Sequence, residues 1–153
     1  MIDLVLNKRL RSAAARTYGR AFFARVIAAA EPRLKIPRGC RAEVGITLVS
    51  AQAMRTLNRE RRGVDAPTDV LSFPLHMKPI SGYTALLLGD LFVCPDIVRI
   101  RAAESGRSVR RQMEWSVVHG LLHLVGYDHE RSTRAAKAMF SLEQRILDTL
   151  YTK

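Results

Sequence analysis

The stretch that decides the architecture is HGLLHLVGYDH, residues 119–129, together with the apolar run that leads into it from Val109. Three of the four histidines of the chain lie inside this stretch. In an α-helix, His119 and His123 are one turn apart and only about 40° apart around the axis, so both side chains lie on one face. Gly126 suits a left-handed helix end, and the turn it allows can bring His129 back to that face.

The helix that carries this motif is predicted at residues 109–125 and is apolar on nearly every side. Its polar positions form one narrow strip: Gln112, Ser116, His119 and His123. A buried polar strip needs partners, and three neutral imidazoles with a free fourth position are typical of a catalytic zinc site. We therefore predict that His119, His123 and His129 bind one Zn²⁺. Ni²⁺ and Cu²⁺ stay open as alternatives, because imidazole suits them as well.

The same spacing occurs in metzincin metalloproteases, which place a glutamate general base directly after the first histidine. Here that position is Gly120, which cannot transfer a proton, and Glu114 lies about 140° around the helix from His119. The pattern therefore disfavours a metalloprotease. The fourth histidine, His76, stands alone in a proline-flanked loop and is assigned no role.

Hydrophobic periodicity predicts the elements around this helix. Strands are predicted at about residues 2–6, 43–49, 70–74 and 86–94. Further helices are predicted at about residues 10–30, after an N-cap at Ser50, from Pro95 to a closing Gly106, and at 132–150. Because helices and strands do not alternate strictly, we predict an α+β fold, a mixed sheet of about four strands packed by about five helices. The length of 153 residues predicts a single domain, residues 1–153.

The balance of charge points to a polyanionic partner. The chain carries 25 basic and 14 acidic residues, a net charge of +11, and from Lys8 to Arg41 the only acidic residue is Glu31. Arginine pairs well with phosphate oxygens, which favours nucleic acid, although an arginine-rich set of solvated helix faces is the alternative. We expect the predicted helix at residues 10–30 and the run from Arg55 to Arg62 to form a phosphate track.

Composition predicts a cytoplasmic protein with no membrane partner. No apolar run is long enough to cross a bilayer, and the first residues do not resemble a signal peptide. Cys40 and Cys94 match no metal or redox spacing and suit a reducing compartment, with a single pairing of the two as the alternative.

The motif at residues 119–129 resembles H-G-x-L-H-L-x-G-Y-D-H, the signature of the YbeY family of bacterial endoribonucleases. A second family stretch, L-N-x-x-x-R-x-x-D-x-P-T-D-V-L-S-F-P, is similar to residues 57–74, and a third is similar to the LGDL of residues 88–91. The three matches stand in the family's order between residues 57 and 130. The first fifty residues and the last helix carry no diagnostic motif.

This resemblance implies a small α+β domain with a three-histidine metal site, usually assigned as zinc. It also implies cleavage of single-stranded RNA, with roles in maturing the ends of small-subunit rRNA and in ribosome quality control. The implied partners are therefore RNA, the small ribosomal subunit and its assembly factors. The family's arginine near the site carries over to Arg62. Arg61 stands where an aromatic residue is common, so the two arginines can share the role, and the net charge of +11 also departs from the many acidic members.

The expected chemistry is attack on a phosphodiester by zinc-activated water or by a neighbouring 2′-hydroxyl. Arg62 would stabilise charge on the phosphoryl oxygens. No general base is evident: Asp128 is the nearest carboxylate in sequence, and orienting a histidine is its alternative role. Thr68 and Asp69 can cap or brace the strand that begins at Val70, and a purely structural turn before Val70 is the favoured alternative.

Two other functions stay open at this point. One is a ribosome assembly factor whose zinc is structural, and the other is a zinc hydrolase that acts on a different substrate.

Overall fold

Four strands form one sheet in the order β1-β2-β4-β3. They are β1 (Ile2–Lys8), β2 (Arg41–Leu48), β3 (Val70–Pro74) and β4 (Ala85–Val93). β2 pairs in parallel with both β1 and β4, whereas β3 pairs antiparallel with β4. The predicted mixed sheet of four strands is thus confirmed. Proline is accommodated at Pro74 because β3 is an edge strand.

The structure is a computed structural model that describes residues 1–10, 12–75, 77 and 80–152. His76, which the sequence left without a role, lies outside the described residues. Six α-helices occur in the described part of the chain. They are α1 (Ala13–Thr17), α2 (Arg20–Ala30), α3 (Ala51–Arg62), α4 (Pro95–Ser105), α5 (Val109–Leu124) and α6 (Thr133–Tyr151).

The single helix predicted for residues 10–30 is wrong, because α1 and α2 are separate helices. The backbone is extended at Tyr18 and Gly19, and Gly19 is the N-cap of α2. Tyr18 is nevertheless buried, and its ring packs edge-on against Phe22 at 4.9 Å between centroids. The apolar spacing therefore continues across the break, since both helices turn their apolar sides toward one core.

Serine and glycine set most of the remaining helix ends. The side chain of Ser50 accepts a hydrogen bond from the N–H of Ala53 and thereby caps α3, as predicted. Ser108 and Ser132 cap α5 and α6 in the same way. Gly106 ends α4 in the left-handed conformation at φ 66°, also as predicted.

The sheet separates two apolar clusters. The larger one lies between the sheet and helices α2, α5 and α6; it includes Val44, Ile46, Leu91, Val117, Leu121, Phe23 and Ile146. The smaller one lies on the other face beneath α3; it includes Met54, Leu71 and Cys94, with Phe73 and Phe92 packed against it. Neighbouring residues of β3 alternate between the two clusters, which fixes the face that β3 turns toward α5.

β3 and β4 approach so closely at Gly89 that only glycine fits. A Cβ at Gly89 would lie 2.1 Å from the carbonyl oxygen of Phe73, and the backbone there has φ +128°. The register of β2 against β4 also shifts beside this point, between Glu43 and Val44. Gly89 therefore lies at the irregularity in the β2–β4 pairing and allows the close approach of β3 to β4.

Cys40 and Cys94 are both free thiols, so the structure has no disulfide between them. Burial raises the pKa of the Cys94 thiol above its ordinary value, which keeps that thiol protonated. No helix within the described ranges combines the length and the apolar character needed to span a bilayer.

Candidate metal centre

Helix α5 brings His119 and His123 to one place. The Nε2 atoms of the two rings are 3.2 Å apart, and the ring centroids are 4.8 Å apart. In a tetrahedral zinc site with Zn–N distances of 2.0–2.1 Å, ligand nitrogens are about 3.3–3.4 Å apart. The two imidazoles therefore already stand at the spacing of two ligands of one ion.

The end of α5 returns the chain so that His129 joins them. Gly126 has φ +97°, and the N–H of Tyr127 donates to the carbonyl of Leu122 at 3.0 Å. The ring of His129 then lies 5.2 Å from the ring of each of the other two histidines, measured between centroids. One ring nitrogen from each of the three residues lies within 4.8 Å of the others. The structure thus brings together the three residues that the sequence pattern singled out.

A buried carboxylate fixes the orientation of His119. The Nδ1 atom of His119 lies 2.9 Å from Oε2 of Glu143 on α6, and Glu143 is buried. With Nδ1–H donating to Glu143, the lone pair of Nε2 is left facing the other histidines, which is the arrangement that metal-ligating histidines adopt. Trp115, one turn earlier on α5, stacks on the same ring at 4.7 Å with an interplanar angle of 19°. His119 is therefore held on two sides.

Sequence reasoning missed both of these partners. The usable signal for Glu143 was a carboxylate inside the apolar stripe of α6, between Met139 and Ile146. Trp115 was counted among the apolar side chains of α5, although its position four residues before His119 on the same helix was the signal that could have found this contact.

The surroundings of His123 favour its neutral form. Burial lowers the pKa of His123 below its ordinary value, and the neighbouring His119 and His129 lower it further. Within the described part of the chain, Nδ1 of His129 is buried with no hydrogen-bond partner. Neutral imidazoles are the form that binds a metal ion. The donor set and the unpartnered buried nitrogen therefore fit a divalent cation such as Zn²⁺.

Gly120 lets α5 lie against the sheet directly beside the first ligand. A Cβ at this position would come within 2.9 Å of Leu91 Cδ2 and 3.1 Å of Val70 Cγ2. Ser72 Oγ also donates to the Gly120 carbonyl at 3.2 Å. A glutamate side chain, which a metalloprotease carries here, has no room between helix and sheet. Packing thus supports the argument against a metalloprotease.

A cavity of about 710 Å³ opens beside the three histidines. Arg62, the last residue of α3, is among its lining residues and lies 3.6 Å from Glu130. Arg61 instead lies over the ring of Phe73, with 5.2 Å between its guanidinium carbon and the ring centroid. Of these two adjacent arginines, Arg62 is therefore the one that faces the cavity.

Asp128 also lines the cavity, on the loop between α5 and α6. Its Oδ1 accepts a hydrogen bond from the N–H of Glu130 at 2.9 Å. The carboxylate therefore braces the loop that carries His129, whereas Glu143 on α6 accepts the hydrogen bond that orients a histidine.

Asp69 ties the start of β3 to α5. Its Oδ2 accepts a hydrogen bond from Ser116 Oγ at 2.7 Å, and its Oδ1 accepts one from Thr68 Oγ1 at 3.2 Å. Arg101 of α4 also approaches Asp69 Oδ1, at 3.7 Å. Asp69 and Ser116 are buried, so the hydrogen bond between them is shielded from water, whereas Arg101 is half-exposed. In the structure, Asp69 thus links the start of β3 to α5, with Ser116 as its partner on the helix.

Several arginines of the expected phosphate track form ion pairs with acidic residues of the same chain. Arg25 pairs with the buried Glu114, and Arg55 binds both carboxylate oxygens of Asp65 at 2.8 and 2.9 Å. The pKa of Asp65 is lowered by its hydrogen bonds with Arg55. In the run from Arg55 to Arg62, Arg62 is the residue that lines the cavity.

Comparison with known proteins gives a consistent result. The sequence model of one family, described as "Endoribonuclease YbeY", matches residues 6–151. A protein named "Endoribonuclease YbeY" from Sulfurihydrogenibium sp. is 44% identical over 108 residues, which cover 71% of this chain and 70% of that protein. One of the same name from Chloroflexus aggregans is 41% identical over 120 residues, covering 76% and 77%.

Among solved structures, the solution structure of TM1509 from Thermotoga maritima is similar. The two share 29% sequence identity with a TM-score of 0.59, and the match covers 97% of this chain and 87% of that one. The sequence similarity to the family and the structural similarity to a solved protein thus both extend over nearly all of this chain.

Proposed function

The chain belongs to the endoribonuclease YbeY family, and on that ground we propose that it is a Zn²⁺-dependent endoribonuclease that cleaves single-stranded RNA. One observation carries the proposal: three imidazoles converge on the wall of a cavity that Arg62 also lines. An open cavity beside nitrogen ligands leaves room for a substrate, which a closed structural zinc site does not.

We propose that His119, His123 and His129 hold the metal ion. The spacing of the Nε2 atoms, the buried unpartnered nitrogen of His129 and the carboxylate behind His119 support this assignment. When bound, a divalent cation would lower the pKa of a water molecule, which then acts as the nucleophile, and would neutralise charge on the phosphate. Glu143 acts through His119 and is therefore a positioning residue.

Arg62 is the proposed phosphate-binding residue. Its guanidinium group is exposed at the end of α3 and lines the cavity, and its partner Glu130 is 3.6 Å away and also exposed. A weak exposed ion pair of this kind is easily exchanged for a phosphate, which arginine binds through two parallel hydrogen bonds. There the positive charge stabilises the extra negative charge that develops on the phosphoryl oxygens.

Asp128 is the proposed proton-transfer group. Its Oδ1 accepts a hydrogen bond from the N–H of Glu130, so we assign proton transfer to Oδ2. The residue lies on the cavity wall next to His129 in sequence, which supports access to a bound substrate. If Asp128 only braces the loop, an asparagine there will keep both the hydrogen bond and the cleavage rate.

We propose ribosomal RNA as the substrate, in the maturation of small-subunit rRNA ends and in ribosome quality control. The small ribosomal subunit and its assembly factors are the proposed partners, in the cytoplasm, and residues 1–153 act as one domain. The family relationship supports this reading, and a net charge of +11 suits a polyanionic partner.

Cleavage of a labelled single-stranded RNA by the zinc-loaded protein tests the proposal. Replacing Arg62 by alanine is expected to lower kcat/KM by about 10²–10³-fold, the usual cost of one preorganised charge donor. The matched control is Arg61→Ala, which removes a neighbouring arginine that lies over Phe73. Equal activity of both variants would contradict the role of Arg62, and absence of cleavage by the wild type would contradict the function.

Elemental analysis separates this proposal from a structural zinc. We expect one zinc per chain in the wild type and none in His123→Ala, with the variant still folded by circular dichroism. A variant that unfolds, while Arg62→Ala processes rRNA normally, would favour the assembly factor. A peptide or a small phosphodiester cleaved faster than RNA would favour a different hydrolase.

A further inference from the structure

A second groove, of about 420 Å³, lies next to the cavity of the metal centre. Arg33 and Lys35 line it from the segment after α2, and Ser141 and Arg145 line it from α6. Tyr127 lines both this groove and the metal-centre cavity. The two depressions therefore adjoin at one aromatic side chain, two residues before His129.

The cations of this groove are not committed to carboxylates. Arg33, Lys35 and Arg145 are all exposed, and none of them forms an ion pair with another residue in the ranges that the structure describes. Arg33 donates a hydrogen bond to the carbonyl of Ala29 at 3.3 Å. Three positive charges in one concave surface favour an anionic ligand with several charges.

Tyr127 is the aromatic residue shared by the two depressions. Its N–H is bound to the Leu122 carbonyl at the end of α5, and its ring is half-buried. The ammonium nitrogen of Lys35 lies 5.9 Å from the ring centroid, a cation–π distance. Aromatic rings flanked by cations are the combination with which proteins bind single-stranded nucleic acid, since bases stack on the ring and phosphates pair with the cations.

We propose that the groove formed by Arg33, Lys35, Tyr127 and Arg145 is a single-stranded RNA subsite that continues the metal-centre cavity. The strand passes from the three histidines over Tyr127, which stacks a base, and its next phosphates are bound by the three cations. This inference rests on the proposed function for the position of the scissile bond. Binding of the strand to the groove is measurable without cleavage.

The test compares RNA lengths in a binding assay with the zinc-loaded protein. The probes are a fluorescein-labelled strand of about twelve nucleotides, which fills both depressions, and a trinucleotide, which fills only one. The triple variant Arg33→Ala/Lys35→Ala/Arg145→Ala is expected to bind the long strand about tenfold or more weakly at physiological salt. Its slope of log K against log salt should shrink by about 2, and its affinity for the trinucleotide should not change.

The matched control is Arg9→Ala/Arg38→Ala/Arg99→Ala, which removes the same charge from exposed residues that line neither depression and lie outside the expected phosphate track. Wild-type affinity and salt slope for the long strand in the groove variant would overturn the inference. An equal loss of long-strand affinity in the control variant would also overturn it. The same holds if the groove binds polyglutamate and not RNA. If the wild type cleaves no RNA but the groove variant alone loses long-strand binding, the proposed function fails and the subsite stands.

Replacing Tyr127 by leucine tests the stacking contact separately. Leucine keeps an apolar side chain at the junction but offers no aromatic face, so binding of the long strand should weaken with an unchanged salt slope. Unchanged affinity would remove Tyr127 from the subsite.

Discussion

At the scale of single residues, Glu143 holds the first histidine of the candidate metal centre. It lies 24 positions beyond His119 in sequence, on a different helix, yet accepts the Nδ1 hydrogen bond of that ring. This contact selects the tautomer whose Nε2 faces the other two ligands. The ligands were recognisable from the sequence because their spacing is local. Glu143 was not, because only the packing of α6 against α5 brings it there.

Replacing Glu143 by glutamine is expected to weaken metal binding by about 10–100-fold, the typical cost of altering the outer partner of a ligating histidine. Glutamine keeps an acceptor oxygen but removes the negative charge, so the fold is preserved while the basicity of His119 falls. Competition with a zinc-binding dye measures the affinity. The exposed Glu104→Gln on α4 is the control, and equal zinc affinity of the two variants would show that Glu143 is only structural.

At the scale of elements, the sequence was informative wherever local chemistry sets a boundary. Ser50 and Gly106 were recognised as helix caps, and Pro74 as the end of a strand, because each acts on its own neighbours. The break at Tyr18 and Gly19 was missed because apolar spacing reports which side is buried and not whether the backbone stays helical. The order of strands depends on long-range pairing, which alternation within a strand does not encode.

The close approach of β3 and β4 gives a prediction at this scale. Replacing Gly89 by alanine sets a Cβ against the Phe73 carbonyl and forces a left-handed backbone on an L-residue, so we expect a loss of about 3 kcal/mol or more in stability. For a chain of this size that lowers Tm by about 6–12 °C.

Gly39→Ala is the matched control for Gly89→Ala. Gly39 also has positive φ, at +79°, but a Cβ there would meet nothing within 4 Å. It should cost only the backbone strain of about 1 kcal/mol. Thermal unfolding followed by circular dichroism measures both, and equal shifts would mean that the clash with Phe73 is relieved at no cost.

At the scale of the whole molecule, the centre is assembled from most of the fold. α5 carries two of the three proposed ligands and the loop after it the third. α6 supplies Glu143, Asp69 links the start of β3 to α5, and α3 ends at Arg62. Each of these elements is also held by an apolar cluster that does not involve the histidines. We therefore expect the scaffold to fold without a metal ion and a bound ion to add to its stability.

Removal of the metal ion is expected to leave a folded protein of lower Tm. Zinc at about a hundred times its dissociation constant adds about 2.7 kcal/mol, which corresponds to about 5–10 °C for a chain of this size. Calorimetry before and after dialysis against a chelator measures the difference. His129→Ala should lose the zinc-dependent shift, and a chelated wild type that is unfolded would show that the ion is structural.

One cooperative unfolding transition is expected for residues 1–153. The larger apolar cluster includes residues from β1 at one end of the chain and α6 at the other, so neither end has a core of its own. Denaturant unfolding followed by circular dichroism and by calorimetry should give coincident transitions. Two separated transitions would contradict a single domain.

The stacking of Trp115 on His119 has a practical consequence, because Trp115 is the only tryptophan in the chain. Ultraviolet emission excited selectively in indole therefore originates from one ring in contact with a metal ligand. A ligand that changes the protonation or charge of the His119 ring is therefore expected to change the intensity of the tryptophan fluorescence. The protein thus carries a built-in optical reporter of its own centre, readable without labels.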